Sequence, residues 1–337
     1  MPKRRLTNKQ RKQIATRQQN KLKSDSIIPS AEVKINSSDR LEALVMSNYG
    51  VELEVRAKQD LSKPIYCRKR SNIIAPVAGD TAIVEKTSQG DFIVVAVKPR
   101  YTVLEKLSSA NKLKPVAANV TQVFIVLALV PQPNFYILDK YIVTIKHYNI
   151  DLTIVLNKID LITNDENHKE IIERLKVYEK IGYKVIQAST VASPWVDDIK
   201  KIANQKTSVF VGDSGVGKSS LVNMILSTKA KKTGELSSNK GTHTTSVASL
   251  SFIDSFSYII DTPGIRELNA KFLTTDDILS GFIEFQSYIG SCKYRNCKHC
   301  EGSQGCALQQ AKDQELITAE RLQNYLSIIE ELNQNKK

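Results

Sequence analysis

The chain has 337 residues, 41% of them hydrophobic and 25% charged, with a formal net charge of +13. That length allows two or three domains with cores of their own, and that balance belongs to a soluble globular protein. The longest apolar run, V-F-I-V-L-A-L-V at 123–130, falls well short of the roughly 20 residues a spanning helix needs, so no membrane partner is expected.

The charge is uneven. Residues 1–24 carry nine Lys and Arg (Lys3, Arg4, Arg5, Lys9, Arg11, Lys12, Arg17, Lys21, Lys23) and no acid, which leaves +4 for the rest of the chain. Such an arm, taken as residues 1–32, is expected to be disordered when free and to seek a polyanion, most often nucleic acid. Its start has no apolar core, so it does not read as a secretory signal, and a cytoplasmic location is expected.

Residues 33–106 hold short β-rich runs, A-L-V-M-S, V-E-L-E-V, T-A-I-V-E and D-F-I-V-V-A-V, separated by turn signals at Asn48–Gly50, Pro76–Asp80 and Gln89–Gly90. About five strands in some 70 residues predict a small closed barrel of the OB type. Arg68, Lys69 and Arg70 would add positive charge suited to nucleic acid; a barrel that merely packs on its neighbour is the plainer alternative.

From 120 onward, continuously apolar runs alternate with helical stretches around 137–147, 166–181, 196–204 and 218–227. That pattern predicts a parallel sheet covered on both faces, within a domain placed at 107–270. Residues 275–290 and 307–333 read as helices of a last domain at 271–337. The apolar residues of the second, Leu316, Ile317, Leu322, Tyr325, Leu326, Ile329 and Leu332, lie close to a helical stripe.

Three motifs carry the chemistry. T-S-V-F-V reads as a strand, G-D-S-G-V-G-K-S follows at 212–219, and S-L-V-N-M-I-L opens a helix. This is the context of a phosphate loop. Gly212, Gly215 and Gly217 let the backbone N–H groups of Asp213, Ser214, Val216 and their neighbours converge on phosphate oxygens, helped by the helix N-terminus at Ser219 and Ser220. Lys218 would reach the β and γ phosphates and the Ser219 hydroxyl would ligate Mg²⁺. D-T-P-G at 261–264 follows the strand Y-I-I; Asp261 suits a second contact to Mg²⁺ and Gly264 can offer its N–H to the γ phosphate. N-K-I-D at 157–160 follows the strand L-T-I-V-L. Asp160 can accept from guanine N1–H and its 2-amino group, donors that adenine lacks, so the wrong base is rejected by about 10⁴-fold. Asn157 would bind the base edge or tie loops together, Lys158 would cover the ring, and Ser189 in A-S-T at 188–190 is a further candidate contact.

The base reader precedes the phosphate loop, the reverse of the usual order in GTPases. Ligands of α/β sheets bind where loops leave the carboxyl ends of the strands, and the site needs those loops together in space, not in one sequence order. Joining old termini and cutting elsewhere preserves every strand end. A circular permutation is therefore expected, with the base-reading half at about 120–205 and the phosphate half at about 206–268. The chain leaving D-T-P-G then enters the last domain directly, a route by which nucleotide state could move it.

Of the five cysteines, Cys67 stands alone and four fall between 292 and 306. Cys292, Cys297, His299 and Cys306 supply three thiols and an imidazole, a donor set for one structural Zn²⁺ with no open position.

With these motifs in this order, and with V-A-G-D (77–80), A-N-V-T-Q (118–122), P-N-F-Y-I-L-D-K-Y (133–141), G-T-H-T-T (241–245) and C-K-Y-R-N-C-K-H (292–299), the whole chain resembles the bacterial small-subunit-dependent GTPase A (RsgA-type) family, circularly permuted GTPases. The resemblance implies an OB-type barrel, a permuted α/β P-loop GTPase domain and a helical zinc domain. It also implies late maturation of the small ribosomal subunit, with binding to that subunit and its 16S rRNA in the GTP state and release after subunit-stimulated hydrolysis to GDP. The glutamine that orients water in Ras-like enzymes is replaced by Ile265. His243, which the resemblance puts in the first switch, is the candidate to hold the attacking water. Thr244 or Thr245 would supply the switch hydroxyl to Mg²⁺. The family interval from His to the last Cys is one residue shorter than here, so Cys300 is the alternative fourth zinc ligand. A monomer is expected. Two rivals stay open: a nucleotide-gated RNA-binding module with little turnover, and a metabolic P-loop kinase, against which N-K-I-D argues.

Overall fold

The structure of the protein, a computed structural model, describes residues 40–71, 73–108, 112–192, 194–233, 247–262 and 273–334. The basic arm, His243, Thr244, Thr245, Gly264 and Ile265 lie outside the described residues.

Strands β1 (Arg40–Asn48), β2 (Glu52–Ala57), β3 (Asp60–Lys69), β4 (Thr81–Lys86) and β5 (Phe92–Val97) pair in the order β1-β2-β3-β5-β4, and β4 pairs back onto β1. The sheet thereby closes into a five-stranded barrel, as the spacing of short strands predicts. Alternation builds it: Leu53 and Val55 on β2, Ala82 and Val84 on β4, and Val94 on β5 are fully buried inside. The strand that alternation does not announce is β3. It is exposed along most of its length and carries Pro64, so its partners, not its own pattern, fix it in the sheet. Arg68 and Lys69 close that strand and Arg70 follows it.

The barrel is joined to the next domain by backbone. Ser47, at the far end of β1, pairs with Ser249 of β12 (Ser249–Phe252), so one sheet runs from barrel to GTPase core. At V-A-G-D, Gly79 has φ +89, and a Cβ there would run into the Ala118 carbonyl. Asn119 donates its amide to the Gly79 carbonyl at 2.9 Å, and the fully buried Asp80 pairs with Arg100 at 2.7 Å. Two of the quoted segments, V-A-G-D and A-N-V-T-Q, are thus the joint between barrel and core. A separate hairpin, β6 (Val103–Leu107) and β7 (Leu113–Ala118), leads into the core.

In the core, β8 (Gln122–Ala128), β9 (Asp151–Asn157), β10 (Lys184–Gln187), β11 (Thr207–Val211), β12 and β13 (Tyr258–Asp261) lie in the order β10-β9-β8-β11-β13-β12. All run parallel except β12, which is antiparallel to β13. Every residue of β8 is buried, which is why its sequence is continuously apolar from Val123 to Ala128. Helices α1 (Phe135–His147), α2 (Glu166–Ile181), α3 (Trp195–Ala203) and α4 (Lys218–Thr233) connect the strands.

The last region holds α5 (Thr275–Gly281), a 3₁₀ turn (Ile283–Tyr288), α6 (Ala307–Asp313) and α7 (Ala319–Gln334). The single helix expected over 307–333 is broken. Glu315 takes a left-handed φ of 58°, and the Thr318 hydroxyl accepts from Arg321 N–H at 3.3 Å, capping a new helix. Leu316, in the break, is 59% exposed, whereas Leu322, Tyr325 and Leu332 are buried with Phe282 and Phe285. This region seats on α1. Asp139 is fully buried and accepts from Tyr178 hydroxyl at 2.7 Å, Asn324 amide at 2.7 Å and Arg321. Arg321 also makes a fork to Glu284, with Nε at 2.7 Å. Burial alone would lower the Arg321 pKa; the Asp139 and Glu284 carboxylates push it up instead. So P-N-F-Y-I-L-D-K-Y holds the C-terminal region in place.

Candidate nucleotide site and metal cluster

The phosphate loop leaves the carboxyl end of β11. Gly212 has φ +141, and a Cβ there would strike the Val126 carbonyl of the adjacent β8, so the loop crosses that strand with no room for a side chain. Val216 is buried in the same apolar cluster as Phe124, Val126 and Leu221 and anchors the loop from below. Ser214, Gly215, Ser219 and Ser220 are exposed, while Asp213 and Gly217 are half-buried. The Lys218 ammonium donates to the Gly212 carbonyl at 2.8 Å and the Asp213 carbonyl at 2.6 Å, which folds it over its own loop. Asp261 ends β13, the parallel neighbour of β11. Burial pushes its carboxyl above the usual carboxylate range, and the Lys218 charge opposes that.

The N-K-I-D segment leaves β9. Asn157 is buried and its amide donates to the Val216 carbonyl at 2.8 Å, tying N-K-I-D directly to the phosphate loop. Lys158 takes a left-handed φ of 63°, and its ammonium donates to the Val130 carbonyl beyond β8 at 2.6 Å. Asp160 lies in the 3₁₀ turn Ile159–Leu161, where its Oδ1 accepts from the buried Ser189 hydroxyl. The backbones of the two loops interlock, with Ala188 N–H donating to Leu156 at 2.8 Å and Ile159 N–H to Ala188 at 3.2 Å.

These contacts place Asn157, Lys158, Asp160, Ser189, residues 212–220 and Asp261 at the carboxyl ends of five neighbouring parallel strands, β10, β9, β8, β11 and β13. The arrangement offers converging N–H donors and an ammonium for phosphate at one edge and an oriented carboxylate for a base at the other. The residues fit a bound polar ligand: Asn157 Oδ1 and Thr262 Oγ1 are buried without a hydrogen-bond partner among the described residues, and such atoms are nearly always paired. Ser189, expected as a contact to the base, gives its hydroxyl to the Asp160 carboxylate. Sequence reasoning did not find the Val130 carbonyl or the Trp195 ring, which bonds the 188–192 loop. A backbone oxygen leaves no trace in sequence; a lone Trp just after A-S-T was the signal available for the other.

In the C-terminal region the ligand atoms of Cys292, Cys297, His299 and Cys306 all lie within 4.8 Å of one another. His299 Nδ1 is 3.6 Å from Cys292 Sγ and 3.4 Å from Cys306 Sγ. Tetrahedral Zn²⁺ with bonds of about 2.3 Å to sulfur and about 2.0 Å to nitrogen sets S···N edges of about 3.5 Å, so the cluster is fit to hold the ion. His299 reaches it from a left-handed backbone, φ 58°. Cys300 is exposed, and its thiol donates to the Lys298 carbonyl at 3.6 Å, away from that group. No described helix is long and apolar enough to cross a membrane.

Residues 97–271 match the model of the RsgA GTPase family. A "Small ribosomal subunit biogenesis GTPase RsgA" from Hahella chejuensis is 37% identical, with 99% of this chain and 98% of that one covered. A protein of the same name from Ectopseudomonas mendocina is 40% identical over 86% of this chain and 85% of its own length. Among solved structures, YjeQ from Thermotoga maritima superposes with a TM-score of 0.69 at 25% identity, covering 87% of this chain and 98% of that one. YloQ, described as a circularly permuted GTPase, gives 0.69 at 26% identity and covers 91% and 99%. Fold, reversed motif order and sequence agree: the chain belongs to the RsgA GTPase family.

Proposed function

We propose that this protein hydrolyses GTP in late maturation of the small (30S) ribosomal subunit. It binds that subunit and its 16S rRNA in the GTP state and leaves after hydrolysis that the subunit stimulates. The observation that supports the reading is the Asn157–Val216 hydrogen bond of 2.8 Å, which ties the N-K-I-D segment to the phosphate loop across the permuted order.

In this reading Asp160, steadied by Ser189, selects guanine, and Asn157 and Lys158 frame the base. The N–H groups of Gly212 through Ser220, with Lys218, hold the phosphates. Ser219 and Asp261, with Thr244 or Thr245, would hold Mg²⁺, which when bound neutralises charge on the β and γ oxygens. Gly264 offers its N–H to the γ phosphate, and His243 in place of the missing glutamine orients water. Cys292, Cys297, His299 and Cys306 hold one structural Zn²⁺. The domains are a basic arm to 32, a barrel over 33–106, the GTPase domain over 107–270 and the zinc domain over 271–337, acting as a cytoplasmic monomer. The arm adds salt-sensitive attraction to RNA.

The test is Mg²⁺-dependent phosphate release from GTP with 30S subunits, 50S subunits or free RNA added. Stimulation confined to 30S, and lost in His243→Ala while GTP still binds, is expected. A rate indifferent to 30S would leave a nucleotide-gated RNA-binding module, and a preference for ATP would point to a kinase.

A further inference from the structure

Trp195 is the one tryptophan of the chain and belongs to none of its motifs. It opens α3 and is 3% exposed. Its ring lies in the buried cluster that contains Ala188 of the base-side loop and Val216 of the phosphate loop. Val196, Ile199 and Ala203 bury the same face of α3, so the helix has little freedom to turn. The single indole N–H is shared by two carbonyls of that loop, Ser189 at 2.7 Å and Ala192 at 2.8 Å. It closes residues 189–192 into a turn. Within it the Ser189 hydroxyl accepts from Val191 N–H at 3.1 Å and donates to Asp160 Oδ1.

We infer that Trp195 is a positioning residue for guanine selection, acting through Ser189 on the Asp160 carboxylate. The inference rests on the reading of Asp160 as the guanine reader. A carboxylate needs both oxygens correctly placed to accept from N1–H and the 2-amino group together, and a rotation that spares one bond loses the other. Left alone, the Asp160 side chain can swing about two torsions. With one oxygen held by Ser189, and Ser189 held by the indole, those torsions are fixed before the base arrives, so the cost of ordering them is not drawn from binding. The pair of carbonyls also explains why an indole stands here. It brings to the edge of a buried surface a polar group that only donates, with no lone pair left to satisfy.

Inosine diphosphate lacks only the 2-amino group, so the ratio of GDP to IDP affinity reads the placement of the carboxylate. In the full-length protein Trp195→Phe is expected to lower that ratio about tenfold. In a Ser189→Ala background the same change is expected to do almost nothing to it, because the path is already cut. If the variant does not fold, benzothienylalanine at 195 keeps the bicyclic shape and replaces N–H by sulfur, and the same fall in ratio is expected. Equal losses of GDP and IDP affinity, or additive effects of the two substitutions, would assign Trp195 to packing alone and overturn the inference. A wild-type protein with no preference for GDP over IDP or ADP would instead sink the guanine reading itself.

Discussion

The two edges of the nucleotide site are built by opposite means. The phosphate edge is one contiguous loop whose working groups are backbone N–H donors, and its shape depends on the absence of a side chain at Gly212. The base edge is assembled from the ends of three strands, β8, β9 and β10, and its parts are held by side chains: Asn157 on Val216, Lys158 on Val130, Ser189 on Asp160. A contiguous backbone device should fail as a whole, whereas a device of separate side chains should fail in graded steps. Permutation follows the same logic. The chain can be cut between the two edges because the β8–β11 ladder and the Asn157–Val216 bond, not one continuous backbone path, hold them together.

The largest effect is expected from Gly212→Ala. Its Cβ meets the Val126 carbonyl, and the loop must leave β8. Calorimetry should show no detectable binding of GDP, IDP or pyrophosphate. Asp160→Asn strikes the other edge: preference for GDP over ADP should fall on the order of 10⁴-fold, with pyrophosphate binding kept. Loss of pyrophosphate binding in that variant would mean the edges are not separable. A control away from both edges is Asp139→Ala, which leaves Arg321 buried with a partner missing. Urea unfolding should show about 3–5 kcal/mol less stability, with guanine preference intact.

Asn157→Ala tests the tie between the edges. It strips the Val216 carbonyl of its donor and should cost about 1–3 kcal/mol in binding of both GDP and pyrophosphate, unlike any change at Asp160. The smallest effect is expected at Asp277, the reciprocal partner in the capping box of α5. The Thr274 backbone N–H and hydroxyl, with His147 at 2.9 Å, hold its carboxyl down to about 2 from 3.8. A depressed carboxyl stabilises the fold above its ordinary value, and that contribution is lost as pH falls through about 2. Asp277→Asn should cost about 1 kcal/mol near neutral pH and flatten the acid limb of a stability profile, with nucleotide binding unchanged.

What the sequence made legible follows the same division. The phosphate loop is local, so G-D-S-G-V-G-K-S between a strand and a helix announces it. N-K-I-D and the apolar strands announce the base edge and the parallel sheet, because burial on both faces writes itself as short, mostly apolar runs. The supports were hidden. Asp139 reads as one more charge on a helix, and its partners Arg321 and Asn324 are 182 and 185 residues away. Trp195 stands outside every motif the sequence offers. β3 escapes alternation because most of its length faces outward, and the break between α6 and α7 turns on a left-handed Glu315 and the cap at Thr318, which the apolar stripe does not encode.

The most direct measurement is a crystal structure of the complex with GDP and Mg²⁺. One nucleotide should span both edges, its diphosphate on the N–H groups after Gly212 with the Lys218 ammonium against it, and its guanine N1–H and 2-amino group on the Asp160 carboxylate. A diphosphate seated in the loop while the base turns away from Asp160, with that carboxylate still facing only Ser189, would contradict the account.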